Sequence, residues 1–394
     1  MPLPSLVSRR RLQLLVLMLA HLTVDMYGGF LMPLIPALRD RLDVRLSAMT
    51  ALAGTCGILV NAIQPFAGMI SPVFRRPLLM MLGPVLAICM ALIGTTQSFW
   101  VVAVLVLAGH VGIGVFHPDG LMAAHSVSGA KEHLGVPVFL SGGFFGFSLG
   151  AIVSTHWVSG PGFGSFWMLG LPGLVIPMLY AATGLNARLT YESHEPSRGR
   201  PADGVAFGWL LLLGTLMAST VCVLYTFLNV TLEARFGRPA IAWGGTAIAL
   251  TGLCGALGSY GWGYLSARVS LFGLIAAGQL LYVPLYLRIV AADSRTSLIA
   301  ASIPAGLVMG GAFFPLVAMA ARRARGLTPG LRAGLIVGGS WGGGSIVAIV
   351  CGFLTDHGVT ATAVLRGMTV AILTTAAVAA ALWLTHRRPA SPDA

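Results

Sequence analysis

The chain has 394 residues, 56% of them hydrophobic and only 9% charged, with a formal net charge of +12. Ordinary globular domains carry roughly 25% charged residues, so a mean hydropathy of +0.86 excludes soluble domains and describes an integral membrane protein. No nucleic-acid partner is expected either, because the basic residues stand in short clusters between apolar runs instead of lining a soluble face.

Apolar runs of about the 20 residues needed to cross a bilayer fall at 12–37, 46–70, 78–97, 99–125, 134–156, 165–186, 207–232, 240–266, 269–291, 296–321, 331–354 and 359–386. They are continuous, not alternating with period two, so they predict helices and not barrel strands. The first run follows Arg9, Arg10 and Arg11 and is too long for the core of a signal peptide, so it reads as a span. Only Thr95, Thr96, Gln97 and Ser98 separate the third run from the fourth. Cys56, Cys89, Cys222, Cys254 and Cys351 all lie inside apolar runs without a C-x-x-C pair, and read as small buried hydrophobes.

Twelve spans return the chain to its starting side. With both termini cytoplasmic, sixteen of the 24 basic residues fall in inside segments, among them Arg9–Arg11, Arg75, Arg76, Arg322, Arg323, Arg387 and Arg388. Seven fall outside (Arg39, Arg41, Arg45, Arg235, Arg238, Arg288 and Arg295), and Arg366 is left within the last span. That bias sets the orientation. The longest polar stretch, 187–206, sits at mid-chain. It predicts an N-terminal six-helix bundle over 1–186, a cytoplasmic linker over 187–206 and a C-terminal six-helix bundle over 207–394.

The halves repeat. Gly68-Met-Ile-Ser71 recurs as Gly263-Tyr-Leu-Ser266, Gly114-Val-Phe116-His-Pro118 as Gly311-Ala-Phe313-Phe-Pro315, and Gly142-Gly143-Phe-Phe-Gly146 as Gly338-Gly339-Ser-Trp-Gly342. Each pair lies at the equivalent span and at nearly one offset. Parallel six-span repeats resemble the two halves of a major facilitator superfamily transporter. The expected fold class is therefore an all-α membrane protein, with 12 transmembrane helices in two pseudo-symmetric six-helix bundles.

Three segments narrow the resemblance: His21-x-x-x-Asp25, Gly112-x-Gly-x-Phe-His117-Pro118-Asp119-Gly120, and Ser141-Gly-Gly-x-x-Gly146-x-Ser148-x-Gly150. They resemble the fosmidomycin resistance protein group of that superfamily. The resemblance implies a proton-driven efflux pump for small antibiotics in a bacterial inner membrane. Two departures stand out. Pro72 takes the place of the acid in the superfamily's cytoplasmic signature, where Gly68, Ser71, Arg75 and Arg76 fit, and Ala267 takes it in the second half. Phe144 stands where the group tends to have a polar residue.

Charges at a helix centre cost about 2.5–3.5 kcal/mol on insertion scales. Of twelve acids only Asp25 and Asp119 lie in spans. Asp25 sits near the middle of span one, with His21 four residues earlier on the same face. A carboxylate so placed, exchanging its proton as its exposure changes, is what coupled transport needs; a permanently neutral, hydrogen-bonded Asp is the plainer alternative. Span four adds His110, His117, Asp119 and His125, with Pro118 disturbing the helix between them. His117 and Asp119 join the proton-coupling candidates, against the alternative of a polar hinge. Candidate substrate contacts are Tyr27, His110, Tyr225, Asn229, Phe314 and Trp341. Arg366 reads as a snorkelling side chain of a peripheral helix, and Arg332 as opening span eleven.

Glycine stripes at Gly142, Gly143, Gly146 and Gly150, and at Gly338, Gly339, Gly342, Gly343 and Gly344, permit close helix approach. They suit either rocking of one half on the other or tight static packing. No G-x-x-x-x-G-K-[ST] loop is present, so ATP-driven transport, cofactors and nucleotides are not expected. The expected partners are a small-molecule substrate, protons and the lipid bilayer, with the chain a monomer. The leading expectation is a proton-coupled efflux antiporter. The alternatives are uptake of a small metabolite, or of a transition metal or its chelate through His21, Met26, His110 and His117, although no compact ligand motif marks a metal site. An intramembrane enzyme is disfavoured, since His21 and Asp25 lack an evident nucleophile and H-E-x-x-H is absent.

Overall fold

The structure, a computed structural model, describes residues 6–70, 77–129, 132–185, 205–309, 313–323 and 329–385, with backbone alone at 6–8, 132–134, 314, 321–323 and 329–334. Among the described residues there is no strand. The α-helices are α1 (Leu6–Gly28), α2 (Leu31–Leu42), α3 (Leu46–Ile70), α4 (Leu78–Ala87), α5 (Phe99–Ser128), α6 (Glu132–Ser159) and α7 (Leu171–Thr183). After them come α8 (Phe207–Phe236), α9 (Ala240–Ser266), α10 (Leu271–Val290), α11 (Arg295–Met309), α12 (Phe313–Arg323), α13 (Pro329–Asp356) and α14 (Ala361–Thr385). Turns of 3-10 helix extend α4 over Ile88–Thr95 and precede α7 over Phe163–Gly170.

Eleven stretches among the described residues are long and apolar enough to cross a membrane. The tenth crossing expected from sequence is divided between α11 and α12, on either side of residues 310–312, which lie outside the described set. The apolar runs mark the crossings to within a few residues. The largest differences are at the first, which continues through α2 to Leu42, and the seventh, which continues to Phe236. Both overruns carry charged residues that pair at the helix ends, which composition averaged over a window discounts. Of the readings made above, the linker, Pro72, Arg75 and Arg76 lie outside the described residues, as do the side chains of Phe314 and Arg332. Pro118 does not break its helix, since α5 runs unbroken through it. Arg366 is exposed on the side of α14.

Helix ends follow local chemistry. Gly184 (φ +75°) and Gly237 (φ +78°) take the left-handed region after α7 and α8, where a Cβ would be strained, and their N–H groups bond the last-turn carbonyls of Ala181 and Glu233. The first crossing bends between α1 and α2 at Gly29, where a Cβ would run into the Phe147 carbonyl of α6.

Most of the stripe glycines pack within their own half, while Gly338 faces Asn61 of α3 in the other half. Gly142, Gly146 and Gly150 of α6 face the backbone carbonyls of Met18, Leu22 and Met26 on α1. Gly339, Gly343 and Gly344 of α13 face Leu211, Thr215 and Ala218 on α8. The repeat detected in sequence is therefore a repeat of packing, span five on span one and span eleven on span seven. Further small residues serve contacts between halves: Gly352 against Thr50 and Gly54 against Ile349 join α13 to α3, and Gly245 against Thr155 joins α9 to α6. The apolar core divides in the same way. One cluster is drawn from α1–α7 and two from α8–α14, with Val230 and Ala151 reaching across.

With the crossings alternating in direction, α1 starts and α14 ends at one end of the molecule, the terminal end. The opposite end, where α2 and α8 finish, is tied across the halves. Asn229 Nδ2 of α8 donates to the Pro33 carbonyl of α2 at 2.6 Å and to Ile241 at 3.2 Å. The Ser47 hydroxyl donates to the Asp356 carboxylate. Arg39 lies 3.6 Å from Glu233, and Arg238 lies 3.6 Å from Asp40. We call this set the latch.

Candidate functional site

Helical geometry brings the site together. Four residues turn an α-helix by about 40° past a full turn, so His21 and Asp25 share a face of α1, and His21 Nε2 lies 3.3 Å from Asp25 Oδ2. Helix α5 delivers His117, whose Nε2 lies 3.3 Å from Asp25 Oδ1. The two Nε2 atoms are themselves 3.3 Å apart. One carboxylate and two imidazoles, drawn from α1 and α5, thus form a triangle of groups in which each carboxylate oxygen turns towards one imidazole.

The backbone fixes which nitrogens face inward. His21 Nδ1 is 2.9 Å from the Phe139 carbonyl of α6, and His117 Nδ1 is 2.7 Å from the Ile113 carbonyl. A carbonyl only accepts, so both Nδ1 atoms carry hydrogen and donate. In the neutral rings both Nε2 atoms are then lone-pair acceptors aimed at each other and at a carboxylate. Three converging acceptors repel unless a cation sits among them, whether a proton on one imidazole or a metal ion. The Phe139 ring stacks on His21 at a centroid distance of 4.3 Å, and Phe116 closes a second side at 5.7 Å. His21 is 4% exposed, but Asp25 and His117 keep 18% and 24% of their side-chain surface open. The triangle therefore has a sealed back and an accessible front.

Gly143 of α6 makes room for it. A Cβ there would stand 2.5 Å from His21 Nε2 and 2.6 Å from Asp25 Oδ2. In sequence Gly143 reads only as part of a packing stripe. Phe139 carries no signal at all, because its part is played by a main-chain carbonyl.

The other candidates are placed apart. Asp119 follows His117 by two residues, which is about 200° around the helix, so it points away from Asp25. It is fully buried, and its Oδ2 accepts from the Met80 N–H at 2.8 Å, satisfying a donor in the first turn of α4. His110 lies two turns from His117, about 10 Å along α5, with its Nδ1 on the Val106 carbonyl at 2.8 Å. The Tyr27 hydroxyl is enclosed: it donates to the Gly170 carbonyl at 3.1 Å and accepts from the Gly173 N–H at 2.9 Å, tying α1 to α7. Tyr225 stacks on Phe147 across the halves at 6.0 Å. Asn229 belongs to the latch. Trp341 is half-buried against Phe313 at 5.6 Å.

Two six-span halves with repeated packing define the major facilitator fold, and comparison with known proteins agrees. No family model matches the chain. The fosmidomycin resistance protein of Escherichia coli is 26% identical over 186 residues, covering 46% of this chain and 45% of that protein. An uncharacterized MFS-type transporter of Bacillus subtilis, YfnC, is 23% identical over 180 residues, 45% and 44% of the two chains. The chain thus matches about half the length of these curated relatives. Among solved structures, a POT family transporter in complex with 5-aminolevulinic acid superposes with a TM-score of 0.77 at 14% identity, covering 95% of this chain and 96% of that one. The nucleoside transporter NupG gives 0.74 at 11% identity over 95% and 100%. A bacterial homolog of the human lysosomal transporter Spinster gives 0.73 at 16% identity over 96% of both chains. These likenesses show the fold.

Proposed function

We propose that the chain is a secondary transporter of the major facilitator type, and that proton binding and release at Asp25, His21 and His117 drive export of a small antibiotic or metabolite from a bacterium. The observation that carries this reading is the triangle of acceptors inside two spans. Its tautomers are fixed, so it demands a cation, and its front is open enough for that cation to exchange. The partial similarity to the fosmidomycin resistance protein supports efflux as the direction. His110 and Asp119 stand outside the proton site in this reading; Asp119 instead holds the start of α4.

The bias of sixteen inside against seven outside basic residues supports cytoplasmic termini in the inner membrane. The latch then faces the periplasm, and the site opens from the cytoplasm. Return of one proton through a potential of 100 mV yields about 2.3 kcal/mol, enough to sustain a substrate gradient of roughly 50-fold at about 1.4 kcal/mol per factor of ten.

The test is a flux assay over a substrate panel in proteoliposomes with an imposed pH gradient. Wild type should move a panel member in a gradient-dependent, uncoupler-sensitive way. Asp25→Asn should insert and fold normally yet lose gradient-driven flux. Accumulation by that variant at the wild-type level refutes Asp25 as the carrier, and hydrolytic turnover in detergent without a gradient would instead point to an enzyme.

A further inference from the structure

We infer that His21 Nε2, His117 Nε2 and the Asp25 carboxylate form a binding site for one divalent late first-row transition-metal ion of the Zn²⁺ class. The geometry is that of a ligand face. An ion about 2.0–2.1 Å from tetrahedral donors sets those donors about 3.3–3.4 Å apart; the two Nε2 atoms are 3.3 Å apart, and each lies 3.3 Å from the carboxylate oxygen nearest it. One donor atom from each of the three residues can be chosen with all three within 4.8 Å of one another. The carboxylate offers one oxygen towards each imidazole, so small rotations bring either oxygen, or both, onto an ion.

The surroundings are those of a metal site as well. Ligating imidazoles characteristically donate their second nitrogen to a carbonyl or carboxylate, which fixes the ring and raises its basicity. Both histidines do so here, to Phe139 and Ile113. Two neutral imidazoles and one carboxylate leave a divalent ion with a net charge of +1 and at least one open position, which the accessible front supplies. Imidazole with carboxylate suits zinc and its neighbours and not Mg²⁺ or Ca²⁺, which favour all-oxygen sets. The ligands are 4 and 92 residues apart in the chain, so they make no compact sequence motif.

Binding is an equilibrium property, and its measurement does not depend on the transport reading. Full-length, tag-free protein in detergent is titrated with Zn²⁺ by calorimetry, and the zinc-loaded protein is examined by X-ray absorption at the zinc edge. Wild type should bind one ion per chain with two imidazoles and no sulfur in the first shell. His117→Ala and Asp25→Asn should each lose affinity by at least about 100-fold, the upper end of what losing even a supporting partner costs. His110→Ala, outside the triangle, should bind as wild type does. Absence of stoichiometric binding by wild type overturns the site. So does a first shell containing cysteine sulfur or lacking imidazole, and the absorption result stands even if a variant fails to fold. Unchanged affinity in a folded His117→Ala overturns it independently.

Discussion

Replacing Gly143 by alanine adds one methyl group at the back of the triangle and changes no charge. The new Cβ would lie 2.5 Å from His21 Nε2 and 2.6 Å from Asp25 Oδ2. Comfortable non-bonded contact begins near 3.5 Å, so the side chains must retreat by roughly 1 Å, or α6 must lift from α1 by a similar amount. Both outcomes spread a triangle in which each Nε2 now lies 3.3 Å from the carboxylate oxygen nearest it. In enzyme sites a misplacement of about 1 Å costs on the order of 100-fold, and a fall of at least about 10-fold in gradient-driven flux is expected here. Gly146→Ala separates this effect from general overpacking, because its Cβ would meet the Leu22 backbone, which cannot swing aside. Overpacking costs about 1–3 kcal/mol, so Gly146→Ala should lower the thermal midpoint of the purified protein more than Gly143→Ala does, while Gly143→Ala should lose more flux per folded molecule. Gly367→Ala, with no described atom within 4 Å of its Cβ, is the control. Wild-type flux in a folded Gly143→Ala protein would refute the argument that the triangle's spacing matters.

Asp119→Ala removes the acceptor for the Met80 N–H and should cost about 1–3 kcal/mol of stability, read as a lower thermal midpoint. Asp119→Asn keeps an oxygen there and should retain gradient-driven flux; its loss in a folded protein would return Asp119 to the proton pathway. Tyr27→Phe should likewise be destabilised by about 1–3 kcal/mol with an unchanged KM for transport, whereas a raised KM at unchanged stability would make Tyr27 a substrate contact. In the latch, Arg39→Ala breaks a partly exposed pair worth about 0–1 kcal/mol and should shift the open–closed balance by about fivefold or less. Asn229→Ala removes the buried amide that donates to both the Pro33 and Ile241 carbonyls and should shift it further. Spin-label distances between the ends of α2 and α8 measure both, and an unshifted distribution in Asn229→Ala would show that the latch does not hold the state.

The crossings were legible because lipid imposes one dominant rule, a continuous apolar length, and window averages capture it. Pairing in three dimensions was legible only where it follows helical period. The four-residue step from His21 to Asp25 predicted their shared face, and the two-residue step from His117 to Asp119 forbids one, although adjacency in sequence had suggested a single polar group. His117 could not be joined to Asp25 from sequence, because no local rule relates positions 92 residues apart; the packing of α5 against α1 decides it. Phe139 and Gly143 were hidden for a different reason. One acts through a carbonyl every residue possesses, and the other through the absence of a side chain. The glycine stripes were visible, but whether they faced the partner half or a neighbour within the half depended on helix rotation, which a helix apolar on all sides does not encode.

The placement of the site also says how it can reach the latch. A single crossing carries both, since α1 holds His21 and Asp25 while α2, beyond the bend at Gly29, holds Pro33, Arg39 and Asp40. The bend rests on the Phe147 carbonyl, and the Phe147 ring stacks on Tyr225 of the other half. A cation bound at the proposed site would change the charge between α1, α5 and α6, where glycines leave little slack for α1 to move independently of α6. A shift there would be delivered along the same span to the Pro33 carbonyl and to the half–half stack, without passing through an intervening helix. Coupling of this kind requires an element with two arrangements whose balance both sites bias. The latch supplies weak, separable contacts suited to that role: two partly exposed ion pairs, one hydroxyl–carboxylate bond and one buried amide. Their modest total lets a single charge, worth about 2.3 kcal/mol per 100 mV, compete with them.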